Sequence, residues 1–369
     1  MKKTILKYAI GVDISKQDFK VCFVCIYGDQ QIKVIASRTF SNTKTGFIQF
    51  LGWITAKRKD KTVYLLIAME ATGVYYENLA FFLRDKDYDI SVLLPNKSKK
   101  YLEYLGLKSK TDKIDAKGLA QMAAQEQLKL WQPATKFWYE LRALTRHHQS
   151  LQEEKTRISN RLEANSHSAN GSKFVARRLK VKLKQVKAEI KKTEVEMTEH
   201  IQTDEAIYTK IKGICKLKGL AILSVATVLA ETFGFELFEN YKQLISYAGY
   251  DVIENQSGKR SGKTKISKKG NSRIRRILYM PALSAVSHKQ TAFYNLYNRV
   301  YEKSGIKMKG YVAVQKKLLI TIFAMWKNNT AYDNDYNKTH IQRNGSVGVS
   351  LYSSGSEAAL KNKALAIKV

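Results

Sequence analysis

Four carboxylates in this chain stand where an apolar run gives way to a turn or a helix begins. Asp13 lies in Gly11-Val12-Asp13-Ile14-Ser15-Lys16, and Glu70 follows the apolar run Leu65 to Met69 in Met69-Glu70-Ala71-Thr72-Gly73. Asp112 and Asp115, in Lys110-Thr111-Asp112-Lys113-Ile114-Asp115-Ala116, are three apart and share one face at the start of a helix. Each alone has an ordinary explanation. An Asp at a strand end forms turns, Glu70 suits the first turn of a helix, and Thr111 suits an N-cap followed by acids. Together they offer another chemistry, because two Mg²⁺ ions about 4 Å apart need several oxygen ligands from different elements.

A second chemical region is the run from Gln256 to Asn271, which carries Ser257, Ser261 and Ser267 among glycines and basic residues. Lys259, Arg260, Lys263, Lys265, Lys268, Lys269, Arg273, Arg275 and Arg276 fall between Gln256 and Arg276 with no acid among them. A solvated tail could have this composition, but a loop punctuated by glycine between two apolar segments is better placed to grip phosphates. Upstream, Gly213 and Gly219 bracket a short turn between helical segments. The pattern resembles a helix-hairpin-helix, which offers backbone N–H groups to a phosphate; a plain structural turn is the alternative.

The charge of the whole chain points the same way. Sixty-four Lys and Arg against 32 Asp and Glu leave a net charge of +32 over 369 residues, a surface that repels itself unless a polyanion is its neighbour. Nucleic acid is the first candidate and an anionic membrane surface the second. The longest clean apolar run, Gly219 to Ala230, is too short to span a bilayer. Cys22, Cys25 and Cys215 cannot build a disulfide framework and suit a reducing, cytoplasmic compartment. Cys22 and Cys25 form a C-x-x-C inside a strand-like run with no second pair, which reads as buried thiols and not as zinc ligands. His147 and His148 lack metal-ligand spacing and read as helix-surface residues; Trp131, Trp138 and Trp326 read as packing.

The elements that must position these residues follow from periodicity. Three strand-like runs, Ala9 to Ile14, Phe19 to Ile26 and Ile32 to Phe40, predict two consecutive hairpins. A helix from about Lys44 to Lys57, a strand Val63 to Met69, a helix around Tyr75 to Lys86 and a strand Ile90 to Leu94 ended by Pro95 follow. This is an α/β order with a mixed sheet, the order of ribonuclease H and RuvC-like nucleases. From Phe137 to Ile201 helical spacing continues on both sides of a polar interruption, Asn165 to Ser172, predicting an antiparallel helical hairpin. Between Lys155 and Lys192 it carries twelve Lys or Arg against two Glu, so one face could follow a phosphate backbone or serve a dimerising coiled coil. Aromatic-rich helical packing is expected from Phe233 to Tyr250, a helix from Ser272 to Ser287, a closing helix from Val312 to Trp326, and a poorly ordered tail beyond Asp333.

These motifs, with Gln256-Ser257-Gly258 and Ile266-Ser267-Lys268-Lys269-Gly270-Asn271, resemble the DEDD transposases of the insertion-sequence one-ten family, also known as bridge-RNA-guided recombinases and related to pilin-gene invertases. The resemblance runs from about Ala9 to Trp326. It implies a RuvC-like domain (residues 1–132) with its tetrad at Asp13, Glu70, Asp112 and Asp115, a helical coiled-coil linker (133–203), a C-terminal transposase domain (204–332) and a tail (333–369). It also implies a serine nucleophile at Ser257, with Ser261 and Ser267 as neighbours that could exchange for it, acting with the tetrad and two Mg²⁺ ions at one composite site through a 5′-phosphoserine intermediate. Donor and target double-stranded DNA, an element-encoded noncoding RNA and a dimer that becomes a tetramer are the partners it implies. A RuvC-like nuclease without a covalent intermediate and a noncatalytic nucleic-acid-binding protein are the alternatives.

Overall fold

The computed structural model describes residues 4–71, 73–106, 111–254, 256–257, 260–262, 264–330 and 332. The chain divides into two compact units, Met1–Pro133 and Ala134–Val369. The tail expected beyond Asp333 lies outside the described residues, as do Lys259 and Lys263.

In the first unit β1 (Ile5–Ile14), β2 (Asp18–Tyr27) and β3 (Ile32–Ser41) form an antiparallel meander with pairs such as Asp13↔Lys20 and Cys22↔Ser37. Then come α1 (Lys44–Lys57), β4 (Leu65–Glu70), α2 (Glu77–Arg84), β5 (Ile90–Leu93), α3 (Pro95–Tyr104) and α4 (Asp112–Gln125). The sheet order is β3-β2-β1-β4-β5, with β4 parallel to β1 and β5 parallel to β4. An antiparallel meander extended by parallel crossover strands on its first strand is the ribonuclease H-like topology that the sequence pattern predicts. Pro95 does more than end a strand. It opens α3 at the first helical position, where its missing N–H is no loss.

Strand alternation separates two apolar layers. Tyr8, Ile10, Val12, Phe19, Val21 and Phe23 face α1 and α2, where Phe50 and Trp53 continue a ring cluster with Phe19 and Phe40. Ala9, Cys22, Val24, Leu66 and Ala68 face the other way and are covered by α4 through Ala116, Leu119, Ala120 and Ala123. Cys22 and Cys25 are buried thiols in opposite layers, so they do not converge on a common ligand.

The second unit begins with α5 (Lys136–His167) and α6 (Lys173–Gln202), an antiparallel pair buried along Leu151, Ile158, Leu179, Val186 and Ile190. Its turn is closed by Asn165, whose side chain donates to the Ser172 carbonyl at 3.2 Å and accepts from the Ser172 N–H at 3.1 Å. The chain continues as α7 (Glu205–Cys215), α8 (Ile222–Thr232), α9 (Tyr241–Ala248), β6 (Val252–Ile253), β7 (Gln256–Ser257), β8 (Arg260–Ser261), β9 (Lys265–Ile266), α10 (Ser272–Ile277), α11 (Tyr279–Ser287), α12 (Thr291–Ser304) and α13 (Lys307–Asn328). Residues of α8 and α13 lie at the centre of its core. Two expectations change and one element is new. The helix expected over Ser272 to Ser287 is two helices divided at Leu278. The segment before the closing helix, which carried no expectation, forms α12 and buries Phe293 and Tyr297. His148 is buried at 5% exposure against α6, its Nε2 3.0 Å from Glu194 Oε1, and only His147 lies on the surface. Trp138 and Trp326 pack edge to face, 6.0 Å apart. Among the described residues no helix is long and apolar enough to cross a membrane.

Candidate functional site

The four carboxylates all belong to the first unit, and three features of the sheet bring them together. Asp13 and Glu70 lie one step beyond the last parallel pair, Val12↔Met69, at the carboxyl ends of β1 and β4. Both share the face of Gly11 and Ala68, which α4 covers. Gly11 lets α4 approach closely, since a Cβ there would lie 2.1 Å from the Ala116 carbonyl oxygen and 2.2 Å from the Ala120 nitrogen. The first turn of α4, with Asp112 and Asp115, is therefore held beside the ends of β1 and β4. Thr111 does cap this helix, its hydroxyl accepting from the Ile114 N–H at 3.3 Å, so the cap and the cluster coexist.

Electrostatics register the gathering. Burial, then the charges of Asp112, Asp115 and Glu70, push the Asp13 carboxyl up to about 6, and Lys20 partly opposes them. Lys20 is a member of the site that sequence reasoning missed. It pairs with Asp13 across the β1–β2 hairpin and its ammonium contacts Asp112 Oδ2. Ser98 is another, donating to Glu70 Oε2 at 2.6 Å from α3. Among the described residues no three His, Cys, Asp or Glu side chains close on a single ion position. The donor set nevertheless fits a hard divalent cation in kind and charge, with four carboxylates repelling one another around a place that already holds an ammonium.

The second unit holds the basic loop. Ser257 sits in β7 opposite Arg260 of β8. Lys265, Lys268 and Lys269 are exposed, whereas the Ser267 hydroxyl oxygen is enclosed and has no hydrogen-bond partner. The three α10 arginines are engaged within the unit. Arg275 donates to the Ala248 carbonyl at 2.8 Å, Arg276 pairs with Glu153, and Arg273 stands 3.9 Å from Glu231. Glu231, 1% exposed, anchors the loop's end. It accepts from Arg146 at 2.7 and 3.0 Å and from Asn271, the N-cap of α10, at 2.7 Å. Burial pushes its carboxyl up, but Arg146, Asn271 and Arg273 more than reverse this and hold it below the usual range. Gly213 lies inside α7, and Gly219, at φ +93°, meets α11 where a Cβ would come within 2.9 Å of the Ser284 hydroxyl.

A ribonuclease H-like sheet with acids at the ends of its parallel strands, in a strongly basic chain, defines a protein built to act on nucleic-acid phosphates. Comparison with known proteins makes this specific. Residues 10–165 match the DEDD transposase domain of the IS110 type, and residues 212–298 match the domain described as "Transposase IS116/IS110/IS902 family". The chain belongs to this IS110 family of transposases and is a DNA recombinase/transposase enzyme. It is 28% identical over 329 residues to the pilin gene-inverting protein of Moraxella lacunata and 27% identical to that of Moraxella bovis, in each case over 89% of this chain and 98% of the relative. T. thermophilus RuvC in complex with Holliday junction substrate aligns over 34% of this chain and 99% of its own at 12% identity, with a TM-score of 0.26.

Proposed function

We propose that this enzyme is a magnesium-dependent DNA transposase that breaks and rejoins strands through a covalent phosphoserine intermediate, with Ser257 as nucleophile and an element-encoded noncoding RNA as guide. The observation that carries the reading is the gathering of Asp13, Glu70, Asp112 and Asp115 at one end of the sheet, within a chain that has both domains of the family. These four carboxylates would hold the metal, two ions in the fullest case. When bound, magnesium would polarise the phosphate oxygens and neutralise charge that develops on them.

The serine does the covalent work in this reading. Its Oγ bonds to phosphorus as the P–O3′ bond breaks; the serine loses its proton and the departing 3′ oxygen takes one up. Rejoining is the reverse attack by a 3′ hydroxyl. The exposed Lys265, Lys268 and Lys269 would steady the phosphate. The enclosed hydroxyl of Ser267 argues against it as the nucleophile, and Ser257 and Ser261 remain the candidates. The names of the Moraxella relatives describe inversion of a gene, which requires exchange at two DNA sites. Several active sites must then assemble, and in this reading the chain is a dimer that becomes a tetramer, with the α5–α6 hairpin as a coiled-coil linker. A carboxylate cluster complete within one unit could also hydrolyse DNA without any serine, which is the second reading.

Trapping separates the two. With DNA labelled on the 5′-phosphate side of the cut, the wild type leaves a protein–DNA adduct that survives denaturation, Ser257→Ala leaves none and does not cleave, and Ser261→Ala retains both. Asp115→Asn keeps DNA binding and loses cleavage. Wild-type cleavage by Ser257→Ala, with no adduct from any variant, establishes hydrolysis by the carboxylates in place of recombination through serine.

A further inference from the structure

One face of α3 has no part in the carboxylate chemistry. Lys97, Lys100, Tyr101 and Tyr104 follow the i, i+3, i+4, i+7 spacing that puts them on one side of the helix. With Met122 and Glu126 of α4 they line an open cavity of about 390 Å³, within the size range of small-ligand sites. Tyr101 is its fixed wall, buried, with its hydroxyl donating to Gln125 Oε1 at 2.6 Å. Tyr104 is 83% exposed, the most exposed large hydrophobic side chain among the described residues. Its ring centre lies 6.4 Å from that of Tyr101 with the planes tilted by 44°. So bare a ring adds little to folding, yet it stands beside a cavity with two lysines at the rim and one carboxylate, Glu126, 3.9 Å from Lys97. Within the same helix, Ser98 turns inward and bonds Glu70.

We propose that this face is a stacking site for one unpaired nucleotide of the nucleic-acid strand engaged by the carboxylate site, an inference that rests on the reading of that site as the place where DNA is processed. The base lies on Tyr104 with Tyr101 and Met122 behind it, and the flanking phosphates meet Lys97 and Lys100. The chemistry is that of single-strand binding, in which an aromatic face accepts any base and basic side chains follow the backbone. A fully paired duplex presents no free base face and gains nothing here.

The test needs no catalysis, so it is independent of the adduct experiment. Full-length protein in chelator is titrated with oligonucleotides containing a single unpaired 2-aminopurine, in DNA and RNA versions, and with a fully paired duplex. Tyr104→Ala weakens binding of the unpaired DNA substrate about tenfold and abolishes the change in 2-aminopurine fluorescence, whereas Tyr104→Phe keeps both. Duplex affinity changes less than twofold, and the thermal midpoint stays put because the ring is exposed. A response with DNA supports the proposal, and a response with RNA alone overturns it, because the strand at the carboxylate site is DNA. Equal losses on duplex and unpaired substrates, or no loss on either, overturn the proposal. Adduct formation without a Tyr104 effect sinks this inference and leaves the proposed function standing; the converse result does the opposite.

Discussion

At the scale of the residue, Asp13 is where the site's physics concentrates. Burial and three neighbouring carboxylates raise it from 3.8 to about 6, so the folded protein without metal holds this proton more tightly than the unfolded chain does. The ionised form therefore costs stability. The penalty is absent below about pH 4, grows as pH rises toward 6 and is complete above it. The shift corresponds to about 3 kcal/mol, which partial exposure to solvent screens to about 1 kcal/mol. Asp13→Asn is expected to raise the unfolding free energy by about 1 kcal/mol at pH 7.5 in chelator, and the gain should vanish by pH 4. Urea titrations at the two pH values check this, and a gain independent of pH would mean that neither burial nor the neighbouring carboxylates raise this group. Added magnesium should then stabilise the wild type and not the variant. The four acids were legible in the sequence because acids are scarce in so basic a chain and these stand at element boundaries. Lys20 was not, because its place depends on hairpin register: only the Ile14↔Phe19 pairing puts it opposite Asp13.

At the scale of the element, the site depends on how closely α4 lies on β1, and one missing side chain sets that distance. A Cβ on Gly11 would stand within 2.8 Å of three backbone atoms of α4, so Gly11→Ala forces the helix outward and carries Asp112 and Asp115 with it. The expected cost is about 2 kcal/mol of stability. Cleavage should fall on the order of a hundredfold from misplaced carboxylates. Gly52→Ala is the matched control. No atom lies within 4 Å of a Cβ there and the site is helical, so stability should rise by up to about 1 kcal/mol with cleavage unchanged. Circular dichroism melts and cleavage rates on both variants decide the matter. The strands were legible as short apolar runs bounded by turn residues, and the long helices by their helical spacing on either side of the Asn165 to Ser172 interruption. The division at Leu278, the helix opened by Pro95 and the buried position of His148 were not. Each is set by what packs against it: His148 turns inward only because Glu194 of α6 is there to receive it. Ser257 has a legible motif, whereas the anchoring of the loop's end, where Arg146, Asn271 and Arg273 converge on Glu231, depends on residues far apart in the chain.

At the scale of the whole molecule, an excess of 32 positive charges must show itself in how binding responds to salt. Each phosphate neutralised releases condensed counterions, so the logarithm of affinity falls with the logarithm of salt at about 0.9 per contact on duplex DNA. The hairpin offers a place to measure this. On α6 the buried stripe of Leu179, Val186 and Ile190 is flanked by exposed Lys180, Lys184 and Lys187, which follow one another at helical spacing. If that row follows a phosphate backbone, replacing the three lysines with glutamine reduces the salt slope by about 3 and weakens all duplexes alike, because backbone contacts carry no sequence information. If the row is solvated, or serves only pairing between copies of the chain, the slope stays within one contact of the wild type while the oligomeric state is free to change. Filter-binding isotherms between 50 and 200 mM salt, read beside sedimentation of the free protein, distinguish a track for nucleic acid from a seam for self-association. An unchanged slope would place the phosphate contacts elsewhere, and the exposed Lys265, Lys268 and Lys269 are the next row to replace.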